Sequence, residues 1–373
     1  MSRVDSPSLG ELRQRPRTAA PSGTDSAAAD DETDRRSSVS TVNSSATSAS
    51  GEAVRAHTVE SHLASHHVST VSTNPAEPVD APTGKPTLVS AWWTSRKLRT
   101  YRYGQVPHYL QDNEYIHTGY RASYSFTESW ASMLFVHNET GNIWTHFLGL
   151  LMFVALMAST TMFLPSQAGV WDHVVFGGFL ASACACFLFS TLFHTHYCNN
   201  RDAYVRFGCL DYAGISILIC GSATLVTYYV LACDPLLRTI YLTLLLSVSF
   251  VGIVGPYFAI WATSRFRVWR TIIYVASGIL SGVPIFHYVF KHGIPTDMPW
   301  WAMYGWFVMG GTYIVGATIY ASKVPERWWP GRFDYFGHSH QIWHCFVVAA
   351  ACVHAYSAVE LMAWRVEQSC PVA

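Results

Sequence analysis

The stretch Val174-Val175-Phe176-Gly177-Gly178-Phe179-Leu180-Ala181-Ser182-Ala183-Cys184-Ala185-Cys186-Phe187-Leu188-Phe189-Ser190-Thr191-Leu192-Phe193-His194-Thr195 runs for 22 residues without one Asp, Glu, Lys or Arg. As an α-helix it would be about 33 Å long, enough to cross a hydrocarbon core of about 30 Å. Irregular backbone cannot face lipid unsatisfied, so a helix is the economical structure for such a segment. Six further stretches share its length and apolarity, approximately 143–163, 209–231, 240–262, 271–290, 300–321 and 341–363. The loops between them are short, which makes neighbouring helices antiparallel. The expected fold is therefore an all-α integral membrane protein, a seven-transmembrane helical bundle over residues 143–363. Pro256 and Pro284 are expected to kink the fourth and fifth spans. Gly278 and Gly282 form a GxxxG that is expected to mark close helix packing.

The chain outside the bundle reads differently. Residues 1–91 contain no Phe, Tyr or Trp and are crowded with Ser, Thr, Ala, Asp and Arg. Such a segment cannot bury enough apolar surface to offset its ordering entropy and is expected to be a disordered tail. No basic stretch followed by an apolar core marks a cleavable signal peptide. Residues 92–142 form a juxtamembrane segment, aromatic and basic from Trp92 to Arg102, with a short helix expected within 122–140. A short tail, 364–373, closes the chain. The nine cysteines all lie at or after Cys184 without paired spacing, and they are expected to be buried small hydrophobes. Only 13% of residues are charged, and the formal net charge of zero says nothing useful about partners; for a membrane bundle no nucleic-acid partner is expected. The protein should reside in the plasma membrane or an endomembrane such as the endoplasmic reticulum.

Loop charges orient the bundle. The loops after spans two, four and six carry Arg201, Arg206, Arg265, Arg267, Arg270, Lys323, Arg327 and Arg332, against Arg238, Lys291 and Arg365 on the other side. Eight against three predicts a cytoplasmic N-terminus and an outside C-terminus, the reverse of a G-protein-coupled receptor.

That orientation brings five polar residues to one depth. Ser190 and His194 fall at the cytoplasmic end of span two, Asp211 in the first turn of span three, and His340 and His344 at the start of span seven. Intramembrane ionisable groups are costly and face the bundle interior, so a shared site is the expectation. His340 and His344 lie four apart, on one helix face. With His194 they would supply three neutral ligands to Zn2+, leaving a fourth position for water, as in catalytic zinc sites. Asp211 is placed to act as general base and later as proton donor. Ser190, one turn from His194, is placed to orient the ligand or the water. His62 and His66 share the HxxxH spacing but have no apolar surroundings, so no site is expected there. His146, His173, His287, His292 and His354 read as packing or interfacial residues, and His196 and His338 should point away from the cluster.

Three motifs carry a resemblance to a known family. They are His137-Asn138-Glu139-Thr140-Gly141-Asn142-Ile143-Trp144-Thr145-His146; Ser190-Thr191-Leu192-Phe193-His194 with Leu210-Asp211-Tyr212-Ala213-Gly214; and Pro325-Glu326-Arg327, Pro330-Gly331-Arg332-Phe333-Asp334 and Ser339-His340-Gln341-Ile342-Trp343-His344. Over about 110–360 the chain resembles the progestin and adipoQ receptor family, the adiponectin-receptor-like and hemolysin-III-related seven-span proteins. The tail is most similar in length and composition to fungal members of the zinc-homeostasis branch. The resemblance implies the same zinc site on Ser190, His194, Asp211, His340 and His344, an inward N-terminus, membrane lipids as partners, and an extracellular protein ligand. It also implies zinc-dependent hydrolysis of a lipid amide such as ceramide, with a role in lipid and zinc homeostasis. A non-enzymatic signalling receptor with structural zinc is the alternative. A zinc transporter lacks a polar path, because the outer halves of the spans offer little beyond His287 and Glu360.

Overall fold

The computed structural model describes residues 98–262, 266–368 and 370. The tail expected over 1–91, His62 and His66, and the basic Trp92–Lys97 part of the juxtamembrane segment lie outside them. The described residues form helices and no strand; one isolated antiparallel bridge joins Tyr101 to Tyr120. The α-helices of seven residues or more are α1 (Phe126–Ser132), α2 (Thr140–Ala158), α3 (Val170–His196), α4 (Arg201–Val230), α5 (Pro235–Val254), α6 (Arg267–Leu280), α7 (Val283–His292), α8 (Trp300–Ser322) and α9 (Ser339–Glu367).

Among the described residues, six segments are long and apolar enough to cross a membrane: α2, α3, α4, Pro235–Tyr257, Ile272–His292 and α9. The expected sixth span, 300–321, is present as α8, a helix of 23 residues. It carries no Asp, Glu, Lys or Arg, but its tryptophans, tyrosines and glycines lower its mean hydropathy below that of the six. The chain is a multi-pass integral membrane protein. Its lipid-facing surface is apolar, with Leu246, Phe250, Ile279, Phe290 and Ile314 among the large side chains left exposed.

Helix ends overshoot the apolar stretches because local hydrogen bonding, not lipid, decides where they start. α4 begins eight residues before 209 because the Asn200 side chain accepts from the Ala203 N–H at 2.8 Å, and Asp202 sits in the first turn. α9 begins at Ser339, whose N–H donates to the buried Glu326 carboxylate at 2.7 Å; the Ser339 hydroxyl donates to the same group. α1 carries a capping box between Ser125 and Glu128. At Pro256 α5 gives way to a 3-10 turn, Gly255–Tyr257, and Pro284 sits in the first turn of α7 after the break at Ser281–Gly282. The GxxxG expectation holds at one position only. Gly282 lies under the Trp306 ring, with no room for a Cβ, whereas Gly278 faces open space.

α3 runs along α2 and α4, α8 along α9, and α9 closes onto α2, α3 and α4. Their shared core includes Phe153, Phe176, Phe179, Phe187, Leu225 and Met362. A second cluster, with Leu110, Ile116, Tyr120 and Tyr124, folds residues 98–124 against Tyr197 and Cys198 beyond the end of α3. Asp334 ties this segment to the loop before α9, accepting from the backbone N–H groups of His117 and Thr118 at 2.9 Å each.

The cysteines depart from expectation. Cys233, three residues beyond α4, is joined to Cys370, three residues beyond α9, in a disulfide with Cα atoms 5.3 Å apart. The pairing was invisible in the spacing because 137 residues separate the partners. The other seven are free.

Candidate metal centre

The site forms where α3 stops and α9 starts. The last turns of α3 present Ser190 and His194, and the first two turns of α9 present His340 and His344. One ligand atom from each of His194, His340 and His344 falls within 4.8 Å of the others. His194 and His344 are 4% and 3% exposed, so the group is withdrawn from bulk solvent. The Nε2 atoms of His194 and His340 face each other at 3.4 Å. The ring centroids of His344 lie 4.8 Å from His194 and 4.7 Å from His340.

What the other ring nitrogens touch decides which lone pairs converge. His194 Nδ1–H donates to Glu139 Oε2 at 2.6 Å, and His344 Nδ1–H donates to the Asn142 carbonyl at 3.1 Å. A proton held on Nδ1 leaves the Nε2 lone pair free toward the centre. Asn142 also donates its side-chain amide to Glu139 Oε2 at 2.6 Å. Burial works to raise the Glu139 carboxyl, but the hydrogen bonds it accepts from His194 and the Asn142 amide hold it well below the usual carboxylate range. The donor set, three imidazoles with two protons parked on outward nitrogens, suits a borderline-soft divalent cation that accepts tetrahedral nitrogen ligands. The group could hold a metal ion.

Asp211 does not join the three ligand atoms. It lies on the third turn of α4, half-buried, and hydrogen-bonds to Ser190. Ser190 thus stands beside the Asp211 carboxylate as well as one turn from His194. His196 and His338 point away as expected: His196 Nδ1 pairs with the Ser129 hydroxyl at 2.8 Å and His338 Nε2 with the Asn138 carbonyl at 3.0 Å. His146 packs as expected, but against the cluster itself: its ring stacks on His344 with centroids 3.8 Å apart. His287 pairs with the Tyr241 hydroxyl and His292 with Asp234, away from the site.

Three polar residues that the spacing argument passed over build the surroundings. Glu139 and Asn142 stand three apart at the start of α2, facing α3 and α9. Arg121 is fully buried and donates to the His194 carbonyl at 2.5 Å, the Thr195 carbonyl at 3.2 Å and the Ser132 hydroxyl at 2.6 Å. It satisfies the free carbonyls at the end of the helix that carries His194. Gly141 lets α2 approach α9, because the Gln341 side chain occupies the space a Cβ would need. Gln341 in turn donates to the Asn138 carbonyl at 3.2 Å. The legible signal for Glu139 was a lone carboxylate bordering an apolar span at the depth of His194.

The fold and the site define a class: multi-pass helical membrane proteins with a buried three-histidine group joining two helices. A family model, Haemolysin-III related, matches residues 134–355, which contain every site residue except Arg121. An adiponectin receptor protein of Drosophila melanogaster is 37% identical over 283 residues, covering 74% of this chain and 62% of its own length. Progestin and adipoQ receptor-like protein 1 of Caenorhabditis elegans is 35% identical over 74% of this chain and 64% of its own length. Progestin and adipoQ receptor family member 3 of Homo sapiens is 33% identical over 74% of this chain and 90% of its own length. The chain belongs to the haemolysin-III-related family, with the adiponectin and progestin and adipoQ receptors. It spans a little under two thirds of the length of the first two relatives.

Proposed function

We propose that the chain is a seven-span membrane protein, N-terminus in the cytoplasm and C-terminus outside, that binds zinc through His194, His340 and His344 and hydrolyses a lipid amide such as ceramide. The observation that carries this reading is the convergence of three histidines, two with Nδ1 committed outward, beside the Asp211–Ser190 pair. Two features support the orientation. The loop charges favour it eight to three, and the Cys233–Cys370 disulfide, at the ends of α4 and α9 remote from the site, calls for an oxidising compartment there. For a count of seven spans, the sixth, α8 with its 23 residues, is about 34 Å long, sufficient to cross.

Zinc held there supplies Lewis-acid polarisation of the amide carbonyl and eases deprotonation of a water. The chain's own residues do the rest. Asp211 accepts the proton of the attacking water and returns it to the leaving amine nitrogen. The C–N bond breaks, a C–O bond forms, and a fatty acid and a sphingoid base leave with no other reactant consumed. Ser190 holds the Asp211 carboxylate in place, and Glu139 and Asn142 hold two histidines in the ligating tautomer. The membrane lipids around the bundle are the pool from which the substrate comes.

The test is purified wild type against Asp211→Asn, at equal zinc occupancy by elemental analysis, assayed for fatty-acid release from ceramide. The expected result is about one zinc per chain in both, zinc lost in His194→Ala, and a rate at least about 100-fold lower in Asp211→Asn. Equal rates at equal occupancy would sink the catalytic reading. They would leave the second one, a signalling receptor with structural zinc and a protein ligand outside, which is favoured by the receptor names of the relatives.

A further inference from the structure

His146 stands on α2 two turns beyond Glu139 and four residues beyond Asn142, on the side that faces α9. Its imidazole lies on that of His344 with centroids 3.8 Å apart and planes 16° from parallel. On another side it meets the Phe187 ring at 5.2 Å. The residue is 4% exposed, and neither ring nitrogen has a hydrogen-bond partner of normal geometry among the described residues.

Left without a partner, that combination is costly. A neutral imidazole carries one donor and one acceptor, and leaving both unpaired in an apolar interior opposes folding. A phenyl ring would fill the same space and stack on His344 without that penalty. Phe187 and Phe153 pack edge to face nearby, with centroids 5.3 Å apart and planes 70° from parallel. The choice of imidazole is explained if its partner is the species held at the site. His354 provides a contrast. It too is buried with both nitrogens unpaired, but it lies against Phe179, ten residues and about 15 Å along α9 from His344.

We propose that His146 is a positioning residue of the metal centre: it stacks on His344 and offers a ring nitrogen to the oxygen-bearing group, water or amide carbonyl, held among His194, His340 and His344. With Glu139 and Asn142 it makes one face of α2, at positions i, i+3 and i+7, an orienting wall for the site. Glu139 directs His194, the Asn142 carbonyl directs His344, and His146 fixes the plane of His344 and the first oxygen beyond it. This inference rests on the metal reading given above, and its test separates the two.

The experiment compares full-length wild type, His146→Phe and His354→Phe in detergent. Three quantities are read: the thermal midpoint of metal-free protein, zinc affinity by competition with a chromogenic chelator, and the visible spectrum with cobalt in place of zinc. In His146→Phe the metal-free midpoint should rise by about 2–4 °C, because two unpaired nitrogens are gone. Zinc affinity should fall roughly tenfold, with an altered cobalt spectrum. His354→Phe should raise the midpoint and leave both metal readouts at wild-type values. A merely structural histidine would not combine a more stable metal-free protein with weaker zinc binding. Zinc affinity within twofold of wild type and an unchanged cobalt spectrum in His146→Phe would overturn the inference while the metal reading stands. A lowered metal-free midpoint in that variant would also overturn it, since the nitrogens would then have partners within the fold. If wild type itself takes up no zinc, the metal reading falls and this inference with it.

Discussion

Replacing Glu139 with glutamine is the sharpest probe of how the centre is held. Glu139 Oε2 accepts from His194 Nδ1 at 2.6 Å and from Asn142 Nδ2 at 2.6 Å. A glutamine carbonyl can keep both contacts, so the shape survives and the charge is lost. Hydrogen bonds to a charged group are worth ~1.5–3 kcal/mol net, against ~0.5–1.5 kcal/mol for neutral pairs. The difference, ~1–1.5 kcal/mol, is about tenfold in zinc affinity. A second effect has the same sign: the new amide nitrogen would face Asn138 Nδ2, now 3.4 Å from Glu139 Oε1, a donor against a donor. Glu139→Ala should be worse, stranding the buried His194 Nδ1–H and the Asn142 amide, and its metal-free protein should also melt earlier. The assay is zinc competition against a chelator in detergent, with thermal midpoints of the metal-free proteins alongside. Glu139→Gln binding zinc within twofold of wild type would refute the argument that a carboxylate fixes the His194 tautomer. The same holds if alanine and glutamine prove equal.

Other consequences can be checked independently. Arg121→Met removes the donors on the His194 and Thr195 carbonyls and should cost ~3 kcal/mol of stability. Unchanged chelator-free unfolding would mean that water replaces the guanidinium. Cys233→Ser should lower the thermal midpoint, with ~4–5 kcal/mol as the chain-entropy ceiling for a cross-link spanning 137 residues. In sealed vesicles, thiol labelling of Cys233 and Cys370 after mild reduction should occur from the side opposite Arg327. Labelling from the same side would reverse the proposed orientation. Hydrogen bonds from Lys291 and His292 hold the Asp234 carboxyl below its usual range. A depressed folded-state pKa gives stability that is present above about pH 4 and lost as pH falls through the folded value. The stability difference between wild type and Asp234→Asn should therefore be flat above about pH 5 and shrink below pH 4; a difference that grows toward acid would contradict the ion pair.

The spans were legible because lipid imposes a plain rule: a run such as 174–195 has no alternative to a helix. The helix ends were not, because Asn200 and Glu326 extend α4 and α9 through contacts that composition does not express. His194, His340 and His344 could be read because charge counting gave them a common depth, and the fold gathers them within 4.8 Å. Depth alone cannot say which way a side chain turns. Asp211 shares the level of the histidines yet pairs with Ser190, and His146, set aside as packing, lies flat on His344. The disulfide escaped for a related reason, since its cysteines become neighbours only once α4 and α9 run side by side to the same end.

That last relation bears on how the centre keeps its shape. α4 and α9 carry Asp211 and two of the three histidines within their first three turns, and Cys233–Cys370 joins the chain just past their last turns. At the site end, Glu326 fixes the start of α9 and Arg121 the end of α3. Between these anchors, α2 adds no ligand of its own but directs two of them through Glu139 and Asn142. The histidines are therefore not free to spread when a metal leaves: α9 is held at both ends and α3 at its site end, and two of the tautomers are set from α2. A site built in this way should lose its metal to a chelator without losing helical content, with circular dichroism unchanged and the metal returning on dialysis. Loss of helix on chelation would mean instead that the metal holds the bundle together, and the outer anchors would then be too weak to do what their geometry suggests.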